Sequence, residues 1–201
     1  PLYSSAASDV YKRQDYRYSL TVNGTTQFEV VRFVLKEHLS ALFRLELDLA
    51  SFGSEPNFHS LIDHPATLTF WQGNETIRSV NGIITALNQG ETGFTRTRYH
   101  MVIEPSLCRA GLQTDLRIFQ QQDSQKIIET LLSKNQVSQS QFHLQTPYWT
   151  REYCVQYRET DLNFIQRLAA EEGSYYYFEH TNDSHILHFS CLLYTSDAAD
   201  E

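Results

Sequence analysis

Cysteine is scarce in this chain, with 3 among 201 residues. Cys108 and Cys154 show none of the close pairings that bind zinc, and three cysteines are too few for a disulfide framework. We therefore expect no metal centre, no cofactor and no disulfide scaffold. Cys108 and Cys154 are expected to be reduced, half-buried thiols that pack as small apolar side chains.

The chain also lacks an excess of basic residues and a long apolar run. It has 16 Lys and Arg against 24 Asp and Glu, a formal net charge of −8. No basic face stands out, so nucleic acid is not expected as a partner. No apolar run is long enough to span a bilayer. The length suits one large domain or two small ones.

Motifs of common catalytic sites are missing from the sequence. There is no G-x-S-x-G nucleophile elbow, no H-E-x-x-H pair and no phosphate-binding glycine loop. Glu171 and Glu172 are neighbours, but adjacent helical residues point about 100° apart, whereas glycosidases hold two carboxylates across a bond. A solvated helix end is the favoured interpretation, and no catalytic residue is predicted.

Three histidines near the end of the chain, His180, His185 and His188, resemble a metal cluster in the sequence. Residues three apart on a strand point to opposite faces, so His185 and His188 diverge. At most His180 and His185 can meet across a hairpin. Histidines on the surface of a hairpin are therefore favoured over a metal site.

The first half of the sequence is rich in strand patterns. Apolar and polar residues alternate in 16–22 and 43–49, and 28–35 is more continuously apolar. Asn-Gly at 23–24 and Gly-Asn at 73–74 indicate hairpin turns. Five or six strands at short spacing predict a barrel or a sandwich. The predicted strands are 16–22, 28–35, 43–49, 66–72, 76–87 and 96–104, with a short helix at 58–63 and a second turn at 89–93.

The second half is predicted to be mixed. Asp123 can cap a helix whose apolar residues share one side. Thr160 or Asp161 caps a second helix, which Gly173 ends. Strands are predicted at 142–144, 153–158, 175–180 and 185–189. The fold class is therefore predicted as mainly β with an α+β second half.

Aromatic and charged residues are concentrated between residues 151 and 177. Tyr153, Val155 and Tyr157 alternate with Cys154, Gln156 and Arg158 along the predicted strand. The three consecutive tyrosines at 175–177 fit an alternation of core and surface aromatics better than a binding ladder.

Charged residues gather where this strand meets the second helix. Arg158, Glu159, Asp161 and Arg167 lie around the junction, and we expect a local ion-pair network there. Exposed pairs add little stability, whereas pairs in a buried interface would fix its register more than its affinity.

Several stretches of the sequence resemble the VgrG family, the spike proteins of type VI secretion. The most specific are EYCVQYRETD at 152–161 and EEGSYYYFEH at 171–180, with Phe164 and Arg167 between them. Upstream matches follow in family order and cover nearly all of residues 15–190: LSALFRLELDL at 39–49, PATL at 65–68, NGIIT at 81–85, YHMVIEP at 99–105 and RIFQ at 117–120.

The resemblance implies the N-terminal part of such a spike, similar to the hub of contractile phage tails. It implies two barrel-like β domains with intervening helices, three copies in a ring, and a hexameric Hcp tube as partner. Effector or adaptor proteins are further implied partners, with transient passage through a target membrane. The expected location is the bacterial cytoplasm before firing, and then outside the cell after secretion through the type VI apparatus.

The resemblance also assigns a set of structural or interface residues, without saying which contacts each makes. Two positions depart from the family pattern: Asn81, where an aromatic residue or histidine is frequent, and Ser174, where the usual residue is apolar. The assigned residues are Phe43, Leu45, Pro65, Gly82, Glu104, Pro105, Phe119, Glu152, Tyr153, Gln156, Tyr157, Arg158, Glu159, Asp161, Phe164, Arg167, Glu172, Gly173 and Tyr176.

A non-enzymatic, structural role is therefore the leading expectation. The alternatives are a baseplate hub of a contractile phage or phage-like particle, and a spike whose toxin domain lies beyond this sequence. A lectin that uses the tyrosines at 175–177 is the least favoured.

The two ends of the chain can be encoded by the two complementary strands of one DNA sequence. A DNA sequence that codes for SSAASDVYKRQ, residues 4–14, has a reverse complement that codes for CLLYTSDAAD, residues 191–200. This DNA resembles the transposase adapter used in library preparation, so residues 1–14 and 191–201 are expected to be adapter-derived tails. The predicted domains are then a first barrel-like domain at 15–105 and, at 106–190, a mixed segment that begins a second one.

Overall fold

The computed structural model describes residues 16–52, 58–143 and 149–191. Two short 3-10 helices, Phe58–Ser60 and Ser106–Gly111, lie between longer elements. The strands are β1 Tyr16–Val22, β2 Thr25–Lys36, β3 Arg44–Ser51, β4 Pro65–Gln72, β5 Glu75–Thr92, β6 Thr97–Glu104, β7 Thr114–Gln122, β8 Ser140–His143, β9 Arg151–Thr160, β10 Ser174–His180 and β11 His185–Cys191; the helices are α1 Ser124–Lys134 and α2 Asp161–Glu171.

The first six strands close into a barrel in the order β1-β2-β3-β6-β5-β4. Strands β1 and β4 close it by antiparallel pairing from Tyr16 opposite Gln72 to Val22 opposite Ala66. Closure leaves no unpaired edge within this sheet. The β1–β2 turn uses Gly24 at φ +75°, a backbone conformation that glycine adopts without a steric penalty.

Alternating apolar residues fill the barrel. On β3, Leu45, Leu47 and Leu49 are almost fully buried, while Asp48 between them is exposed. The predicted alternation is therefore confirmed for this strand. The same core contains Leu20, Val22, Phe28, Phe43, Leu61, Ala66, Leu68, Val80, Ile84, Tyr99, Met101 and Ile103.

Two capped helices organise the second half. The Asp123 carboxylate accepts a hydrogen bond from the Lys126 backbone N–H at 2.8 Å, which caps α1 as predicted. The Thr160 hydroxyl caps α2 in the same way, and Gly173 follows that helix at φ +65°. Neither described helix is long and apolar enough to cross a membrane. The second core contains Leu107, Ala110, Ile127, Ile128, Leu131, Leu132, Val137, Cys154, Phe164, Ile165, Leu168, Ala169, Tyr176, Leu187 and Phe189.

Two small sheets frame this second core. Strands β7 and β9 form a two-stranded antiparallel ribbon. Strands β10 and β11 form a hairpin, and β8 pairs parallel with β11. Phe178 on β10 packs against both cores, so the hairpin lies where the barrel meets the mixed half.

The mainly β fold with a mixed second half is confirmed, but one predicted turn is wrong. At residues 89–93, β5 continues to Thr92, because Gln89 still pairs with Tyr99 and Thr92 with Thr97 across a register shift. The chain reverses at residues 93–96 instead. The strand predicted at 142–144 is found as β8, and Leu144 itself lies outside the described residues.

The expectations about the ends and domains stay predictions. Residues 1–15 and 192–201 lie outside the described part of the chain. Cys191 is the last described residue and ends β11 opposite Ser174. The described barrel ends at Glu104 with β6, next to the domain boundary predicted at residue 105.

Gly82→Ala is expected to lower the free energy of unfolding by about 1–3 kcal/mol through overpacking. A Cβ at Gly82 would lie 2.6 Å from the Glu104 carbonyl oxygen and 2.6 Å from Ile103 Cγ2. Gly90→Ala is the matched control on the same strand, because its Cβ would meet only ordinary contacts, with Arg98 O at 3.5 Å. Urea unfolding followed by circular dichroism measures both changes, and equal stability of the two variants would contradict the packing argument.

Candidate functional site

The outer face of the β7–β9 ribbon is apolar and exposed. The register places Leu116 opposite Tyr157 and Ile118 opposite Val155, with Tyr153 at the next outward position of β9. The exposed fractions are 61% for Leu116, 63% for Ile118, 63% for Tyr153, 44% for Val155 and 64% for Tyr157. These large apolar side chains thus face away from the molecule, while the residues between them, Phe119, Cys154 and Gln156 among them, face inward.

The inner face of the ribbon is anchored on the helices. The Phe119 ring lies 5.8 Å from that of Phe164 on α2, which is fully buried. Cys154 and Gln156 of β9 are buried on the same side. Burial raises the pKa of the Cys154 thiol, which keeps it in the neutral form. The ribbon therefore presents its outer face from a packed support.

A buried carboxylate joins the ribbon to both helices. Asp161 is 3% exposed and accepts hydrogen bonds from Gln156 Nε2 at 2.8 Å and Asn135 Nδ2 at 2.9 Å. Lys134 Nζ lies 3.0 Å from the same carboxylate. Gln156 is itself fully buried, and its Oε1 has no hydrogen-bond partner among the described residues. The sequence placed Asp161 at this junction but gave no sign of Lys134 and Asn135.

The paired glutamates lie at the end of α2, where the Glu171 side chain is 39% exposed, as expected of a solvated helix end, but both are also ion-paired. Arg151 lies 2.6 Å from Glu171 and 2.7 Å from Glu172, and Arg167 lies 3.0 Å from Glu171. Burial would raise the pKa of Glu171, but the hydrogen bonds from Arg151 and Arg167 outweigh it and lower that pKa. Glu172 also accepts the Ser124 hydroxyl at 2.6 Å, which joins the end of α2 to the start of α1.

The predicted ion-pair cluster forms only in part. Arg167 pairs with Glu159 at 2.6 Å, as expected. Asp161 belongs to the separate network of Lys134, and Arg158 lies over the Tyr157 ring at 5.5 Å instead. Arg158 has φ +52°, and the β7–β9 pairing shifts register at this residue. Its side chain is therefore directed away from the ion pairs at the start of α2.

The expected surface histidines are buried, which corrects the sequence interpretation. The His180 side chain is 6% exposed, and its ring centroid lies 6.2 Å from that of His185 and 4.9 Å from that of Phe43. His188 is 4% exposed. Burial lowers the pKa of both His180 and His185 to about 4. His180 and His185 do meet across the hairpin, as the strand geometry predicts.

Asn81 fastens the barrel to this hairpin. Its side-chain amide donates to the Thr181 carbonyl at 2.7 Å and to the Ser184 carbonyl at 2.9 Å. Its backbone N–H donates to His180 Nδ1 at 3.1 Å, and the Thr67 hydroxyl donates to its Oδ1. The departure at position 81 thus supplies a side-chain amide that bonds to β4 through Thr67 and to the turn of the β10–β11 hairpin.

The tyrosines follow the predicted alternation. Tyr176 is fully buried, and its hydroxyl accepts a hydrogen bond from Gln166 Nε2 at 2.8 Å. Burial raises the pKa of that hydroxyl. Tyr175 and Tyr177 lie on the other face, where their rings stack at 6.3 Å.

The residues assigned by resemblance fall into a supporting set and an exposed set. The supporting set builds the two cores, the helix ends and the ion pairs: Phe43, Leu45, Gly82, Glu104, Pro105, Phe119, Gln156, Glu159, Asp161, Phe164, Arg167, Glu172, Gly173 and Tyr176. The exposed set is Pro65 at the start of β4 and, on β9, Glu152, Tyr153, Tyr157 and Arg158.

Three residues of the outer face are not among the site residues that the resemblance assigns: Leu116, Ile118 and Val155. The signal that could have found them is the odd–even pattern of β7, in which Arg117 lies between two aliphatic residues. A period of two shows that two faces differ, but it does not tell which face is buried. An exposed apolar sheet face on a packed support is typical of a protein–protein or membrane interaction surface. Within the described ranges, no group of three or more His, Cys, Asp or Glu could hold a metal ion.

The family described as phage tail baseplate hub (GPD) matches residues 36–198, and the chain belongs to it. The type VI secretion system spike protein VgrG2a of Pseudomonas aeruginosa is 37% identical over 187 residues, which are 92% of this chain and 22% of that protein. The chain thus spans about a fifth of that relative.

Two solved structures share the fold. One is the E. coli c3393 protein, a component of the type VI secretion system with structural similarity to the T4 tail proteins gp27 and gp5 (TM-score 0.78, 24% identity, 85% of this chain and 48% of that one). The other is the 43 kDa tail protein of prophage MuSo2 from Shewanella oneidensis (TM-score 0.63, 12% identity, 88% and 55%).

Proposed function

We propose that this chain forms part of the base of a type VI secretion spike, in which three copies make a ring that caps the hexameric Hcp tube. The observation that carries the proposal is the 37% identity to a named spike protein over 92% of the chain. The division into a barrel-like domain at 15–105 and the start of a second one at 106–190 belongs to the same proposal.

The proposed action is mechanical. A closed barrel resists deformation because every strand is hydrogen-bonded on both sides. The Asp161 network and the Arg151 and Arg167 ion pairs hold the ribbon against the helices. A rigid structure of this kind suits a protein that a contracting sheath drives forward as a unit. Effector or adaptor proteins would be carried along with it, and no reaction would be catalysed.

The proposed route begins in the bacterial cytoplasm and ends outside the cell, with brief passage through a target membrane. A hub of a contractile phage tail is the alternative. It is less favoured because the prophage tail protein shares the fold at only 12% identity, whereas the spike protein shares 37%.

A segment exchange tests the proposal. Residues 16–191 would replace the matching segment of VgrG2a in P. aeruginosa, and release of Hcp and of the chimera into the medium would be measured. We expect the purified chimera to be a trimer by light scattering and to be secreted only when the sheath can contract. A monomeric chimera that is never released would overturn the proposed function. We also expect the 201-residue chain to show no hydrolase activity on peptidoglycan.

A further inference from the structure

A small cavity lies where the β10–β11 hairpin meets the barrel. Its volume is about 310 Å³, and its lining includes Glu37 just after β2, Arg78 on β5, and Phe178 and His180 on β10. Ligand pockets span roughly 300–1,000 Å³, so this cavity is at the lower end of that range. One water occupies about 30 Å³ in the liquid, so a single water leaves most of the cavity unfilled.

His180 directs an unpaired hydrogen-bond donor into this cavity. Its Nδ1 accepts the Asn81 backbone N–H at 3.1 Å, and burial lowers the pKa of the ring to about 4. The neutral ring therefore carries its proton on Nε2. The side chain is 6% exposed, and Nε2 is buried without a hydrogen-bond partner among the described residues. A buried donor of this kind costs free energy until an acceptor reaches it.

Glu37 supplies an acceptor beside that donor. Its Oε1 lies 3.7 Å from His180 Nε2, which is too far for a direct hydrogen bond. Arg78 Nη2 donates to both carboxylate oxygens, at 2.7 and 2.6 Å, so the carboxylate is held in place and keeps lone pairs for further donors. The cavity thus offers one fixed donor and one fixed acceptor. Its lining has no net charge, because Glu37 and Arg78 compensate each other and the imidazole is neutral.

The spacing of these two groups selects the chemistry of a ligand. A group that lies between them must accept a hydrogen bond from the imidazole and donate one to the carboxylate. A hydroxyl does both with a single oxygen atom. A carboxylate or phosphate ion would bring a second negative charge to Glu37, and an ammonium group cannot accept a hydrogen bond. Thr76 and Asn182 add polar side chains to the lining, and Phe178 adds an apolar ring.

We propose that this cavity binds one neutral sugar residue, with a sugar hydroxyl bridging His180 Nε2 and Glu37. A sugar ring carries hydroxyls on neighbouring carbons for the polar wall and C–H groups for the Phe178 ring. It is uncharged, as the lining requires, and compact enough for a cavity of this volume. The inference goes beyond the proposed spike function and does not depend on it.

Saturation-transfer difference NMR on the 201-residue chain tests the proposal with the methyl glycosides of glucose, galactose and mannose. We expect at least one of them to bind with a Kd of about 1 mM or below. The same glycoside is expected to shift the imidazole Nε2–H signal of His180 in the ¹⁵N-labelled chain. Absence of saturation transfer to all three glycosides at concentrations up to about 20 mM would overturn the inference.

Two variants connect binding to the cavity. Glu37→Gln removes the acceptor-only carboxylate and is expected to weaken binding at least about tenfold. Glu29→Gln is the matched control, because Glu29 is an exposed glutamate on β2 that lies 3.8 Å from Arg96, outside the cavity, and binding should be unchanged. Thr76→Trp, at an exposed residue of the lining, is expected to fill the cavity and abolish binding while the barrel core stays intact. Glycoside binding that survives both Glu37→Gln and Thr76→Trp contradicts the assigned site.

Control ligands test the chemical class. Acetamide offers an acceptor and a donor on two atoms, and methyl glucuronide adds a carboxylate to the sugar ring. Both are expected to bind at least about tenfold more weakly than the best neutral glycoside. Equal or tighter binding of either one would show that the cavity does not select a neutral sugar.

The VgrG2a chimera separates this inference from the proposed function. We expect the chimera to bind the same glycoside as the 201-residue chain. Loss of binding in the chimera would show that another segment of the spike fills the cavity, and the inference would fail for the assembled protein. Secretion of the chimera decides the proposed function independently, because a spike base can be released whether or not it binds a sugar.

Discussion

Asp161→Ala is expected to lower the free energy of unfolding by about 3 kcal/mol. The substitution removes the acceptor of one N–H of Gln156 Nε2 and of one N–H of Asn135 Nδ2, while the same two nitrogens keep their bonds to the Glu159 and Leu131 carbonyls. A buried N–H left without a partner, as on Gln156, costs about 1–3 kcal/mol. Gln156 cannot turn to water because it is fully buried. The Lys134 ammonium can be hydrated after the substitution, since its side chain is 38% exposed. Loss of the ion pair itself therefore adds little to the destabilisation.

Asp123→Ala is the matched control for this variant. Both residues are aspartates at the start of a helix, but Asp123 only caps α1 through the Lys126 backbone N–H. Loss of a cap costs about 1 kcal/mol. Urea unfolding of the two variants, followed by circular dichroism and tryptophan fluorescence, measures the difference. Equal losses would show that Asp161 acts as a cap and not as the centre of a network.

Acid is expected to unfold the chain through His180 and His185. Burial holds the pKa of each at about 4 in the folded state, against about 6.5 in an unfolded chain. Above pH 6.5 both states carry neutral imidazoles, and the folded state keeps its full stability. As the pH falls from about 6.5 toward 4, both imidazoles become protonated in the unfolded chain but stay neutral in the folded chain. Stability should therefore fall by about 2 kcal/mol per histidine between about pH 7 and pH 5.

The variant His180→Gln with His185→Gln removes both titrations. At pH 7 this variant is expected to be less stable than the wild-type chain, because packing against Phe43 is lost. Between pH 7 and pH 5, however, its free energy of unfolding is expected to fall less than that of the wild type. Glu37 and Arg78 face His180 and are present in both proteins, so their contribution largely cancels. His38→Gln, at an exposed histidine after β2, is the control and should keep the wild-type pH dependence. Parallel acid curves for the wild type and the double variant would contradict the assignment.

Local patterns predicted most strands and both helices because those patterns depend on neighbours in the sequence. Alternation along residues 43–49 predicted β3, and Asp123 and Gly173 marked where helices begin and end. The turn at 89–93 was wrong because polar and glycine residues there still pair across a register shift on the long β5 strand. Pairing partners of that kind are distant in the chain and leave no local pattern.

Burial of individual residues was harder to predict than secondary structure. The histidines of the hairpin looked like surface residues, yet the barrel covers His180 and His185 through Asn81 and Phe43, and His188 lies between Tyr177 and His143. The alternation along β9 did not tell which of its two faces is buried, and Cys154 and Gln156 occupy the inward positions. A strand pattern has two equivalent phases, and only the elements that pack on it decide which one faces inward.

The β10–β11 hairpin has a consequence for how force would travel through the molecule. Phe119 presses on Phe164 of α2, the Gln166 side chain of the same helix bonds to Tyr176, and Phe178 of the same strand abuts Phe43 at the barrel. A push on the ribbon therefore reaches the barrel through contacts between rings and one hydrogen bond, and of the contacting residues Phe43, just before β3, is the one outside a helix or strand. Close-packed interiors compress little, so this series of contacts would transmit a compressive force from the β7–β9 ribbon to the barrel.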